Sequence, residues 1–135
     1  YDFKNHNLIK VDAISNYFVL FANLQNENIN NKIINKLKEY NSHKEYFFTT
    51  VNPKDKTFEE TRYWRGPVWI NSNWIIYQGL LDKDKHFSNL IKNKTLKLLE
   101  DKKFHEYYNY KTGECLGANN FSWSAALYLD LKLNK

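Results

Sequence analysis

Apolar and polar positions along this chain fall into blocks of two kinds that alternate. Residues 11–24 are apolar on most sides of a helix, through Ala13, Ile14, Phe18, Val19, Leu20, Phe21 and Ala22, the mark of an element buried all round. Residues 28–40 instead carry one stripe, Ile29, Ile33, Ile34, Leu37 and Tyr40, opposite Lys32, Lys36, Lys38 and Glu39, so that helix covers a surface. The two kinds then repeat. A helix over 67–81, with Pro67 in the first turn where a missing N–H is tolerated, is apolar at nearly every angle, from Val68, Trp69 and Ile70 to Leu80 and Leu81. Residues 84–101 are striped through Phe87, Leu90, Ile91, Leu98 and Leu99, and residues 121–133 are crowded again with Phe121, Trp123, Leu127 and Leu129.

Buried, striped, buried, striped, buried is the order expected when helical hairpins stand in two concentric rings, the inner helices touching neighbours on every side. The pattern predicts an all-α chain, part of an α/α toroid of alternating inner and outer helices. The competing reading is an antiparallel bundle, in which every helix would be striped. Two long connections, 41–62 and 103–120, interrupt the helices, and connections above about 12–15 residues without regular structure are commonly functional. The first holds Tyr46-Phe47-Phe48-Thr49-Thr50-Val51, a candidate short strand, followed by turn residues 52–55; the second holds the Thr112-Gly113 turn. No internal repeat is visible.

Composition narrows the function classes. With 42% hydrophobic and 17% aromatic residues in 135, the chain carries enough apolar surface to fold and is sized for one domain or less. A net charge of +5 raises nucleic acid as a partner, but the lysines are spread over the striped helices without an interleaved set of aromatic platforms, so none is expected. The best apolar run, 14–24, is broken by Ser15, Asn16 and Asn23 and is too short for a bilayer. A single cysteine, Cys115, excludes an internal disulfide, and no second His or Cys stands near His105 at ligand spacing, so no metal and no cofactor is expected. The triplets Asn93-Lys94-Thr95 and Asn120-Phe121-Ser122 fall in helical contexts and are read as chance.

Chemistry concentrates in two clusters. Tyr63-Trp64-Arg65-Gly66-Pro67-Val68-Trp69-Ile70-Asn71 sets aromatic rings beside hydrogen-bonding groups where a loop enters a helix. Sugars present flat C–H faces edged by hydroxyls and need both, although aromatics also pack cores. Arg65 is read either as a substrate contact or as a structural ion pair or cap. In the second cluster, Phe104-His105-Glu106-Tyr107-Tyr108 lies ahead of Thr112-Gly113-Glu114 and Gly117. Glu106, a carboxylate in an aromatic run, is either part of a buried network or held for use. His105 reads as an exposed or packing residue.

Together with Phe121-Ser122-Trp123-Ser124-Ala125-Ala126-Leu127, these two clusters resemble, in order and spacing, the C-terminal third of glycoside hydrolase family 63. The nearest likeness is to bacterial members acting on mannosylglycerate and glucosylglycerate, with processing α-glucosidases and trehalases more distant. The resemblance runs from about residue 12 onward. It implies an inverting α-glycosidase on an (α/α)6 toroid, with an Asp general acid from an earlier helix and a Glu general base near the C-terminus. That base maps onto Glu106; Tyr63, Trp64 and Trp69 map onto the sugar site, and Trp123 onto the start of the last inner helix. Arg65 is a candidate substrate contact by its residue type and place in the first cluster.

The chain departs from the family pattern at Asn109-Tyr110, where an Asp-Pro is usual, and at Tyr17-Phe18-Val19-Leu20, where a proline is frequent. No Asp stands in the motif of the acid. The resemblance therefore implies that residues 1–135 are the C-terminal portion of one catalytic domain, inactive alone, with upstream sequence before Tyr1. The expected partners are an α-linked sugar and either the N-terminal part of the same enzyme or a second copy. A trehalase-like enzyme and a non-catalytic carbohydrate- or protein-binding module are the alternative readings.

Overall fold

The computed structural model describes residues 2–22, 24–40 and 45–133. Four helices, α1 (Glu27–Tyr40), α2 (Ile70–Leu80), α3 (Lys85–Lys102) and α4 (Ser122–Leu133), are joined by 3-10 segments at Ile14–Leu20 and Tyr63–Arg65 and by one antiparallel pair, β1 (His105–Tyr108) with β2 (Cys115–Asn119). The chain is thus helix-rich with a small two-stranded sheet, where the sequence predicts an all-α chain with one candidate strand, at 46–51, and not this pair.

The striped helices form as their periodicity dictates. α1 buries Ile34, Leu37 and Tyr40, while Ile29 at the rim of the stripe stays 45% exposed. α3 starts where the Asp84 carboxylate accepts from the Phe87 N–H at 3.0 Å, satisfying one orphan donor of the first turn, and buries Phe87, Ile91, Leu98 and Leu99. None of the residues of α2 is exposed; it packs against α3, α4 and the first 3-10 segment. Gly79 permits that packing, since a Cβ there would stand 2.8 Å from the Phe21 backbone nitrogen.

Backbone pairing across the chain overturns three expected elements. The helix expected over 11–24 shrinks to the 3-10 turn Ile14–Leu20, because Ala13 bridges Val51 and the Ile14 and Asn52 N–H groups bond to Thr50 and Asp12 carbonyls. Asn23, within that expected helix, lies outside the described residues. The helix expected from Pro67 begins at Ile70 instead. Val68 bridges Thr49 on one side and Tyr108 on the other, so 67–69 run extended. The connection 103–120 is a hairpin, not an irregular loop: Lys103 at φ 65 ends α3, and the β1–β2 turn is closed by the Asn109 side chain, which accepts from Lys111 and Thr112. The candidate strand at 46–51 forms no named strand: it bends at Tyr46 and Thr50 and pairs through isolated bridges at Thr49 and Val51. Residues 41–44 of that first connection lie outside the described residues.

Two cores result. The larger joins the first 3-10 segment, α1, α2 and α3 around Leu20, Leu37, Phe48, Ile76 and Leu80; the smaller, of Val68, Ile70, Leu98, Leu99 and Tyr108, lies behind the sheet. Asn73, 1% exposed, fastens the extended segment to α2: its Oδ1 accepts from Phe48 N–H at 2.9 Å and its Nδ2 donates to the Phe47 carbonyl at 2.8 Å. α4 has the fewest buried residues of the four helices. Only Ser124 and Leu131 are buried, and Leu129 and Leu133 are 56% and 73% exposed, so this expected inner helix is not enclosed by the rest of the described chain.

Truncating Asn73 to Ala strands two buried backbone groups, each costing about 1–3 kcal/mol. The variant should lose roughly 2–6 kcal/mol of stability, seen as a lower urea midpoint with an unchanged m-value, whereas exposed Asn31→Ala on α1 should stay within about 0.5 kcal/mol of the parent.

Candidate functional site

The site begins with the bridge between Val68 and Tyr108. Val68 N–H donates to the Tyr108 carbonyl at 2.8 Å and Tyr108 N–H returns the bond at 2.9 Å. Neighbouring residues are thereby brought side by side, and the rings of Trp69 and Tyr107 stack at 5.1 Å and 19°. Trp69 also stacks on Trp64, at 3.9 Å and 12°, while Tyr63 stands edge-on to all three rings. Trp69 is 2% exposed and Trp64 is 45% exposed. The stack therefore has a buried ring anchored in the core and a flat, open one at the surface.

Tyr63 is placed by backbone strain. Its φ of 26 is uncommon for a residue with a side chain, and its carbonyl accepts from the Trp69 indole N–H at 3.0 Å. Gly66, at the end of the turn, admits the Glu59 carbonyl into the space a Cβ would fill. In this conformation the Tyr63 hydroxyl donates to Glu106 Oε1 at 3.0 Å. Donation to that carboxylate is the main cause holding the Tyr63 phenol above its ordinary pKa, with partial desolvation second.

The other Glu106 oxygen is held by the sheet. Register shifts between His105 and Tyr107, so that Gly117 and Ala118 of β2 stand opposite the single residue Glu106. A bulge of this kind re-aims a side chain. Ala118 N–H donates to Glu106 Oε2 at 3.1 Å. Gly117, at φ 70, is required twice over, by its backbone and because a Cβ would stand 2.6 Å from Oε2.

Of the residues singled out in the sequence, Tyr63, Trp64, Trp69 and Glu106 come together. Trp123, 49% exposed in the first turn of α4, shares with Glu106, Trp69 and Phe121 a crevice with no water-sized space. The start of α4 is tied to β1 through Ser124, whose hydroxyl donates to the His105 carbonyl at 2.6 Å. Arg65 is engaged elsewhere. Its guanidinium meets Glu59 at 2.7 Å, and with Arg62 it holds the Glu59 carboxyl below the usual range. The structural ion pair, one of the two readings of Arg65, is what the geometry displays. Tyr107 as the third ring and the Gly117–Ala118 backbone as a carboxylate holder went unassigned in the sequence; the one available signal was a glycine in a chain with four. Among the described residues no group of three His, Cys, Asp or Glu side chains could hold a metal.

A family model for the "Mannosylglycerate hydrolase MGH1-like glycoside hydrolase domain" matches residues 1–124. The chain belongs to this glycoside hydrolase family. Mannosylglycerate hydrolase from Thermus thermophilus is 36% identical over 124 residues, covering 90% of this chain and 29% of that protein. Glucosylglycerate hydrolase from Mycolicibacterium hassiacum is 34% identical over 86 residues, 60% of this chain and 18% of its own. Among solved structures, the family 63 mannosylglycerate hydrolase from another strain of Thermus thermophilus, in complex with Tris, superposes with a TM-score of 0.88 at 34% identity, over 96% of this chain and 32% of that one. The same enzyme in complex with glucose gives 0.86 at 31% identity, over 100% and 34%. The chain thus spans about a third of the length of the Thermus relatives and matches less than a fifth of the Mycolicibacterium one.

The Tyr63–Glu106 contact makes a titration prediction. Replacing Glu106 by Gln removes the anion that favours the protonated phenol, so Tyr63 should ionise at lower pH in Glu106→Gln than in the parent. NMR of tyrosine labelled at Cζ reads this directly; an unmoved Tyr63 titration would show that the hydrogen bond does not form in solution.

Proposed function

We propose that this chain supplies the general base and part of the sugar wall of an inverting α-glycoside hydrolase acting on hexosyl glycerates. The observation that carries the reading is Glu106, a partly exposed carboxylate fixed at both oxygens, by the Ala118 N–H and by the phenol of Tyr63, whose ring packs edge-on to the Trp64–Trp69–Tyr107 stack, in a chain of the mannosylglycerate hydrolase family. Structures of the Thermus relative bound to glucose and to Tris with D-glycerate supply the two halves of the substrate class.

Inversion needs two carboxyl groups about 6.5–9.5 Å apart on opposite faces of the sugar ring. In this reading Glu106 removes a proton from a water as its oxygen bonds to the anomeric carbon. The glycosidic C–O bond breaks, and the leaving oxygen takes a proton from a carboxylic acid supplied by another part of the enzyme. Tyr63 and the Ala118 N–H fix the direction of the base, and the Trp64 face receives the apolar side of the sugar. The reaction therefore belongs to a longer polypeptide, in which residues 1–135 form the C-terminal portion of one (α/α)6 domain. Likeness to a third of a family 63 chain supports that placement. So does α4, whose Leu129 and Leu133 stay open, together with Phe21 at 54% exposure, where the preceding inner helices would pack.

In the full-length enzyme, Glu106→Gln should lower kcat on mannosylglycerate or glucosylglycerate by about 10²–10⁴-fold while substrate still binds by calorimetry; parental turnover would refute the assignment. NMR of the first product formed should show the anomer opposite to the substrate, and retention would reject inversion. Trp64→Ala should chiefly raise KM, by about 3–10-fold for roughly 0.5–1.5 kcal/mol of ring contact.

A further inference from the structure

The segment carrying Tyr63 and the segment carrying Glu106 touch at more than one rung. Tyr63 meets Glu106, Glu60 meets Asn109, and Phe58 meets Tyr110 edge-on at 5.4 Å. The partners run in opposite directions along the two segments, with the first two rungs three positions apart on each side. The backbone of 59–65 closes on itself, Arg62 N–H bonding to the Glu59 carbonyl and Arg65 N–H to that of Arg62. Side chains therefore set the register between the segments.

The middle rung is the most constrained. Asn109 is 4% exposed, and its Oδ1 is fully used by the Lys111 and Thr112 N–H groups of the hairpin turn. Its Nδ2 is left to donate to Glu60 Oε1 at 3.1 Å, while Lys111 Nζ takes Oε2 at 2.7 Å. Lys111 first, then Asn109, holds the Glu60 carboxyl below the usual range. A carboxylate at 109, the usual residue in the pattern this chain resembles, would have no proton to give Glu60. Asparagine suits a partner that is itself an anion.

We propose that Glu60 is a positioning residue for Glu106: pinned by Asn109 and Lys111, it holds Tyr63 in its strained backbone with the phenol on the carboxylate. Strained conformations persist only where surrounding contacts over-determine them; the Trp69 indole and the Tyr107 ring act on Tyr63 itself, and the 60–109 rung adds a hold on the segment three positions before it. The role rests on the reading of Glu106 as the base.

Asn109→Asp targets the rung: Asp keeps the acceptor for the turn, but replaces the donor to Glu60 by a carboxylate oxygen and so sets two anions face to face. In the full-length enzyme it should lower kcat by about 10–100-fold, the effect of displacing a reacting group by around an ångström, with KM within about twofold. Amide exchange should quicken in 58–66 and stay unchanged in 72–80. The double variant Glu60→Gln with Asn109→Asp re-forms the rung with its donor reversed and should recover most of the lost kcat. Glu60→Ala, at a half-exposed position, should reproduce the loss without altering a buried group. Parental kcat in Asn109→Asp, unchanged exchange in 58–66, or a double variant as slow as the single one would each overturn the role. A parent enzyme that hydrolyses no hexosyl glycerate would defeat the reading of Glu106, while the exchange measurement would still report whether the rung holds the segment.

Discussion

Two hydrogen bonds between Val68 and Tyr108, both residues fully buried, hold the rest of the site in place. They draw the residues ahead of α2 into extended pairing, where the Trp69 ring can reach Tyr107. They also fix β1 against the smaller core, from which Glu106 projects toward Tyr63. The Tyr108 hydroxyl closes the arrangement by donating to the Lys103 carbonyl at 2.6 Å and accepting from His105 N–H at 2.8 Å. A buried backbone group left unpaired here would cost as much as a lost hydrogen bond, so the bridge is not easily exchanged for solvent.

The fold was legible in the sequence wherever it depends on neighbours three or four residues away. α1, α3 and the interior of α2 follow from the spacing of Ile, Leu and Phe because a helix is decided locally. Their ends were misjudged where the decisive partner is remote: Val68 is governed by Tyr108, forty positions on, and Ala13 by Val51. The hairpin was missed for a related reason. His105–Tyr108 and Cys115–Asn119 are too short to show alternation, and the bulge breaks what alternation exists.

Legibility of the site divides in the same way. Rings and carboxylates announce themselves by residue type, so Tyr63, Trp64, Trp69 and Glu106 could be named in advance and the structure gathers them. The group that holds Glu106 Oε2 is a main-chain N–H, which every residue except proline possesses, so nothing in the letters marks it. Arg65 is the intermediate case. Its type fits a sugar contact or an ion pair equally, and the pair that forms is with Glu59, six residues upstream, returned to it by a turn that only Gly66 allows.

The aromatic stack also bears on how such a site could diversify. Trp69 packs in the interior, donates through its indole nitrogen to the backbone of Tyr63 and borders the helix α2, so a change there is felt by folding before it is felt by any ligand. Trp64 lies on top of it, half in solvent, with its neighbours already fixed. The upper ring can therefore be exchanged while the lower one stays as a floor; the molecule keeps its tolerance for novelty one layer above its tolerance for damage.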